Sequence, residues 1–200
     1  PFAPGADSSF LAIENGNVVW FDLGRLLRNT AWIVGGNYGV GSAIRVYVSA
    51  IPTRPSAELV EQSAMARKSG LEPIPHIAVR NYTSRDELSD LIGRLSGEAG
   101  VRRVLIISGD RGDSAGPFNA SLEIIESGIL QRHGITHVSI AGHPDGHPVV
   151  SGDVMQRALL AKVEAAEQSG LEADIVTQFG FDAQAIARWI MKMRDLGIEC

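Results

Sequence analysis

The chain has 200 residues, 44% hydrophobic and 20% charged, with a formal net charge of −5. This suits one globular domain with a sizeable core, and the scattered basic residues do not suggest a nucleic-acid surface. The apolar runs are too short for a membrane span, and the single cysteine, Cys200, allows neither an intrachain disulfide nor a cysteine metal cluster, as expected in a reducing cytoplasm.

The first residues, "PFAPGADSSF", have no basic stretch ahead of an apolar core and do not read as a secretory signal. "FLAIE" (10–14) and "TAWIV" (30–34) have strand character. "WFDLGRLLRN" reads as a short helix broken at Gly24. "AWIVGGNYGVGSAI" then gathers Gly35, Gly36, Gly39 and Gly41 in a spacing like that of a dinucleotide-binding loop. Such a loop needs a helix directly after it, because the free N–H groups of the helix bind the pyrophosphate. Here "SAIRVYVSAI" follows, alternating with period two, and Pro52 ends it. No helix fits in that interval, so the glycines read as a turn. Residues 1–44 are expected to be an irregular N-terminal part contributing the first strand.

From residue 45 onward, strands and helices alternate. "RVYVSAI" (45–51) reads as a strand, and "SAELVEQSAMARKSG" (56–70) as a helix with Ser56 as its N-cap. "PIPHIAV" (73–79) is the next strand. "SRDELSDLIGRLSGEAG" (84–100) is a helix opened by a capping box of Ser84 and Glu87. Then come a strand at 102–108, a helix at 119–134, a strand at 136–142, a helix at 152–170, a strand at 173–179 and a helix at 182–197. A strand start about every 30 residues is the size of a βα unit. An open doubly wound sheet and a (β/α)8 barrel both fit this alternation, within a single domain.

Polar residues recur at the C-terminal ends of these strands, the edge that binds ligands in both architectures. They are His76, then Ser108, Gly109 and Asp110, then His143 and His147 in "HPDGH", then Gln178. Each has a plainer reading. His76 fits a hydrogen-bonded core histidine, Asp110 a turn cap, and Gln178 a backbone partner. The two histidines flank Pro144 and Gly146, which is not a metal-ligand spacing on a helix, and no metal is expected. Lys162 shares a helical face with alanines, from which it can reach a phosphate or extend to solvent.

"EPIPHIAVR", "VLIISGDRGDSAGPF", "SIAGHPDGHP" and "DIVTQFGFD" stand in the order and spacing found in methylenetetrahydrofolate reductases. The chain resembles a bacterial, FAD-dependent member of that family from Arg45 to Gly197. The resemblance implies an α/β fold, a (β/α)8 TIM barrel with FAD at the C-terminal ends of the strands. With 10–14 counted as the first strand, the barrel is expected to be incomplete at the C-terminus of this sequence. The implied reaction interconverts 5,10-methylenetetrahydrofolate and 5-methyltetrahydrofolate in one-carbon metabolism and methionine biosynthesis, with NADH or NADPH as co-substrate. Carried over by motif, His76, Ser108, Gly109, Asp110, Ala120, His143, His147 and Lys162 would surround FAD. Asp110 and Gln178 would meet the folate, and Glu14 in "FLAIENG" would be the general acid. His143 stands where the family often has tyrosine. Ala158 and Ala161 stand where some relatives place polar partners for FAD. A flavin-free reductase and a non-catalytic folate- or nucleotide-binding partial barrel are the alternatives; self-association is left open.

Overall fold

A computed structural model describes residues 9–14, 17–22, 31–33, 45–51, 54–177 and 182–198. The cluster from Gly35 to Gly41 and the residue Gln178 lie outside the described residues.

Two strands, β1 (Ser9–Glu14) and β2 (Asn17–Asp22), pair antiparallel in a sheet of their own. This corrects two expectations. Residues 10–14 are not a strand of the barrel sheet, and Trp20–Asp22 are extended rather than helical. The run Val18, Val19, Trp20, Phe21 favours a strand, because β-branched and aromatic residues fit a pleated surface.

The main sheet has six strands in the order β3 (Ala31–Ile33), β4 (Arg45–Val48), β5 (Glu72–Ala78), β6 (Arg103–Ile107), β7 (His137–Gly142) and β8 (Glu172–Thr177). β3 runs antiparallel to β4, and the pairs from β4 to β8 are all parallel. Between the parallel strands lie α1 (Ser56–Lys68), α2 (Arg85–Ala99), α3 (Ser121–Glu126) with α4 (Ile129–Arg132), and α5 (Gly152–Gln168); α6 (Ala183–Asp195) follows β8.

Three observations choose the barrel over the open sheet. Chain order equals spatial order from β3 to β8, whereas a doubly wound sheet reverses at a switch point. The helices share one face. Val48, Ile77, Val104, Ile106 and Val138 pack on that side with Leu59, Leu88, Leu95 and Ile124 of the helices. Tyr47, Ile74, Leu105, Ile107 and Val176 meet on the other side, with no helical residue in their cluster. Finally, Arg45 Nη1 of β4 lies 3.6 Å from Asp174 Oδ2 of β8. In a flat sheet those strands would be about 19 Å apart, farther than the two side chains can span. The sheet therefore curls, and its five parallel strands form an arc of a (β/α) barrel with the helices outside.

Local choices follow chain chemistry. Ser84 accepts the N–H of Glu87 at 3.1 Å, as the capping box requires. The return bond shifts by one residue: Glu87 Oε2 accepts from both the backbone N–H and the hydroxyl of Thr83, each at 2.7 Å. Ser56 does not cap α1. Pro55, at φ −59° and ψ 142°, already has the extended geometry of an N-cap, so Ser56 is helical. The helix expected over 119–134 is two, because Gly128 takes φ +73° and breaks the right-handed run.

Candidate active site at the C-terminal ends of the strands

β5, β6 and β7 are neighbours, so their C-terminal ends lie side by side. His76 sits two residues before the end of β5. Its ring meets Tyr47 edge-on at 6.0 Å, on the concave face. Its Nε2 is buried and has no hydrogen-bond partner. Burial lowers its pKa to about 4, so the ring is neutral at pH 7. A satisfied core histidine would have bonded that nitrogen. An orphan donor or acceptor facing the barrel interior instead suits a ligand.

β6 ends at Ile107, and Ser108, Gly109 and Asp110 leave it. Gly109 adopts φ +92°, and a Cβ there would lie 3.1 Å from the Cβ of Ala78. Conformation and close approach both require glycine. Asp110 is exposed, and its carboxylate accepts no hydrogen bond among the described residues. It is therefore not a turn cap, and it is free to face a ligand. Ala120 is the N-cap of α3, in extended conformation.

After β7 the chain turns tightly, with Gly146 N–H donating to the carbonyl of His143 at 3.1 Å and φ +83° at Gly146. This brings the rings of His143 and His147 edge-on, 5.6 Å between centroids. His147 Nδ1 accepts the N–H groups of Val149 and Val150, both at 3.2 Å. That commits Nδ1 as the acceptor and leaves Nε2 to donate outward. His143 Nδ1 is buried without a partner. Burial, then His147, then Lys162 push the His143 pKa down. Lys162 comes from α5, and burial lowers its pKa as well. No acidic group is among the influences on either residue, and Lys162 forms no ion pair among the described residues. Among the described residues, none of these three basic side chains forms an ion pair with a carboxylate.

Glu14 does not join this group through the main sheet; its strand is in the β1–β2 hairpin, where it stands opposite Asn17. Sequence reasoning missed Arg80, in the 3-10 turn Val79–Asn81 that follows β5. Its guanidinium donates to the carbonyls of Asn119 at 2.7 Å and Arg111 at 3.0 Å. The only signal in the sequence is an arginine just past an apolar strand. Its partners lie more than thirty residues on, where no local pattern reaches.

Among the described residues, no helix is long and apolar enough to cross a membrane. Among solved structures, 3-dehydroquinate dehydratase from Geobacillus kaustophilus HTA426 is similar at 13% identity and a TM-score of 0.34, over 64% of this chain and 60% of that one. The chain thus spans less than two thirds of that protein, a likeness too slight to bear on fold or function. The family model for methylenetetrahydrofolate reductase matches residues 44–200, from the edge of β4 through α6. That span holds the whole parallel arc and every strand-end residue described above, and the chain belongs to the methylenetetrahydrofolate reductase family.

Proposed function

We propose that the chain is a methylenetetrahydrofolate reductase that interconverts 5,10-methylenetetrahydrofolate and 5-methyltetrahydrofolate, using FAD and either NADH or NADPH. The reading is carried by the basic residues His143, His147 and Lys162, which come together after β7, with Asp110 following the neighbouring strand β6 and its carboxylate accepting no hydrogen bond among the described residues. The residues present fit a flavin dinucleotide. Lys162 and the Nε2–H of His147 would hold the pyrophosphate. When bound, the flavin supplies the hydride chemistry.

The chain's own groups then have separable tasks. Asp110 would stabilise by its charge the iminium cation that forms when the folate's five-membered ring opens, most strongly once bound ligands exclude water from its exposed carboxylate. His76, neutral at pH 7, offers a hydrogen bond without adding charge to the pocket. Ser108 and Ala120 line the ring site through their backbones. Gln178 orients the pterin with its paired amide donor and acceptor. Glu14 is the candidate proton donor.

A visible-spectrum titration tests the reading. Flavin absorbance should bleach with NADH or NADPH and return with 5,10-methylenetetrahydrofolate. A colourless protein that still oxidises NADH with the folate would show a flavin-free reductase. Folate binding without NADH oxidation would show a binding module.

A further inference from the structure

The segment from Ser108 to Ala120 is long and has little regular structure, yet it carries Asp110. One residue on the neighbouring strand end holds it at several points. The N–H of Arg80 donates to the carbonyl of Ser108 at 3.1 Å, and the Arg80 carbonyl accepts from Ala115 N–H at 2.9 Å. The Arg80 Nε donates to the carbonyl of Asn119 at 2.7 Å, and its Nη1 to that of Arg111 at 3.0 Å. Asp110 thus lies between Ser108 and Arg111, both bonded to the same residue.

We infer that Arg80 is a positioning residue: its planar fork ties the backbones of Arg111 and Asn119 together and fixes the turn that presents Asp110. A guanidinium can satisfy two carbonyls in one plane, which a lysine ammonium cannot do in the same geometry. Both acceptors are backbone oxygens, so the device depends on the path of the loop rather than on the side chains at 111 and 119. The catalytic consequence rests on the function proposed above. The bracket itself does not.

The variants are Arg80→Met and Arg80→Lys in the full chain. Amide hydrogen exchange of residues 109–119 needs no ligand. It should quicken by about tenfold or more in Arg80→Met, which loses both hydrogen bonds from the charged donor. Exchange in β5 and β6 should be unchanged, because the Arg80 backbone bonds remain. Arg80→Lys, which keeps the charge but not the fork, should lie between the two, and added methylguanidinium should restore protection in Arg80→Met. In the flavin-loaded protein, the folate half-reaction should fall by about tenfold in kcat, with flavin reduction by NADH within about twofold of wild type. Unchanged exchange in both variants overturns the bracket. So does full recovery with lysine, which would assign the effect to charge alone. Faster exchange with an unaffected folate half-reaction overturns the positioning role. Faster exchange in a chain whose wild type reduces no folate upholds the bracket and defeats the reductase reading.

Discussion

Gly142, the last residue of β7, lies directly under Trp189 of α6. A Cβ at Gly142 would come within 2.7 Å of the indole Cη2 and 2.9 Å of Ile175 Cγ2. The glycine lets the indole close over the strand just before the chain turns into His143. Gly142→Ala should therefore cost about 1–3 kcal/mol, the usual penalty for overpacking. Trp189→Leu in the same chain should recover part of that loss. A double-mutant cycle of chemical denaturation measures the coupling, and strictly additive losses would mean the two residues do not meet.

Gly116 is a more rigid case. A Cβ there would lie 2.5 Å from the carbonyl oxygens of both Tyr82 and Thr83, and backbone cannot move aside as a ring can. Gly112, in the same loop, has nothing within 4 Å of the corresponding position. Gly116→Ala should push the loop off the 82–83 segment and break the bond from Ala115 to Arg80. Tryptic cleavage after Arg111 should then speed up by about tenfold, and Gly112→Ala should cut at the wild-type rate. Equal cleavage in the two variants would count against the packing described.

The strand–helix rhythm after residue 45 was legible because each unit carries its own period and caps. Ser84 with Glu87 shows this: two residues three apart define a helix start. That His76, Asp110 and His143 stand at or just past the C-terminal ends of neighbouring strands was legible because parallel strands place those ends side by side whatever the curvature. Curvature was expected only from the family resemblance and was not legible in the strand–helix pattern. It appears in the contact of Arg45 with Asp174, residues 129 positions apart whose pairing leaves no local pattern. The break at Gly128 was hidden inside a good helical period, since one left-handed residue does not disturb the apolar spacing around it. Arg80 was missed for the same reason as the curvature, because its partners are long-range.

His76 links stability to pH. Its folded pKa of about 4 lies below the ordinary 6.5, so between those values the unfolded chain binds a proton that the folded chain refuses. Stability is full above pH 6.5 and falls as the pH drops toward 4, by roughly 3 kcal/mol at most. His76→Gln removes the titrating group. Its denaturation free energy should show a shallower slope than wild type in that window, and parallel slopes would contradict the buried neutral ring.

Asp110→Asn keeps the shape of the side chain and removes its charge. The carboxylate accepts nothing among the described residues, so the fold should be unaffected, with a melting temperature near that of wild type. Under the proposed function, folate reduction should fall by about a hundredfold or more, since charge stabilisation in the transition state is lost. Flavin reduction by NADH should hold. Rapid-mixing measurements of the two half-reactions separate these outcomes; equal losses in both would move Asp110 to a general role in flavin binding.

The basic group at His143, His147 and Lys162 predicts proton uptake on ligand binding. Without a ligand, burial and its two basic neighbours hold the His143 pKa below 6.5, and burial lowers that of Lys162. A pyrophosphate placed among them favours the charged forms, so both pKa values rise on binding. Near pH 6.5 the His143 ring should take up part of a proton as ADP or FAD binds. Calorimetry in buffers of different ionisation enthalpy reads this directly, and a binding enthalpy independent of buffer would remove His143 from the anion site. Lys162→Met should weaken ADP binding by about tenfold, and the remaining affinity should vary less with salt because one charge no longer contributes. His143→Gln should abolish the buffer dependence while leaving the contribution of Lys162 to affinity in place. The two variants therefore divide the site into a proton-coupled and a fixed-charge part, which a single patch of surface basicity would not show.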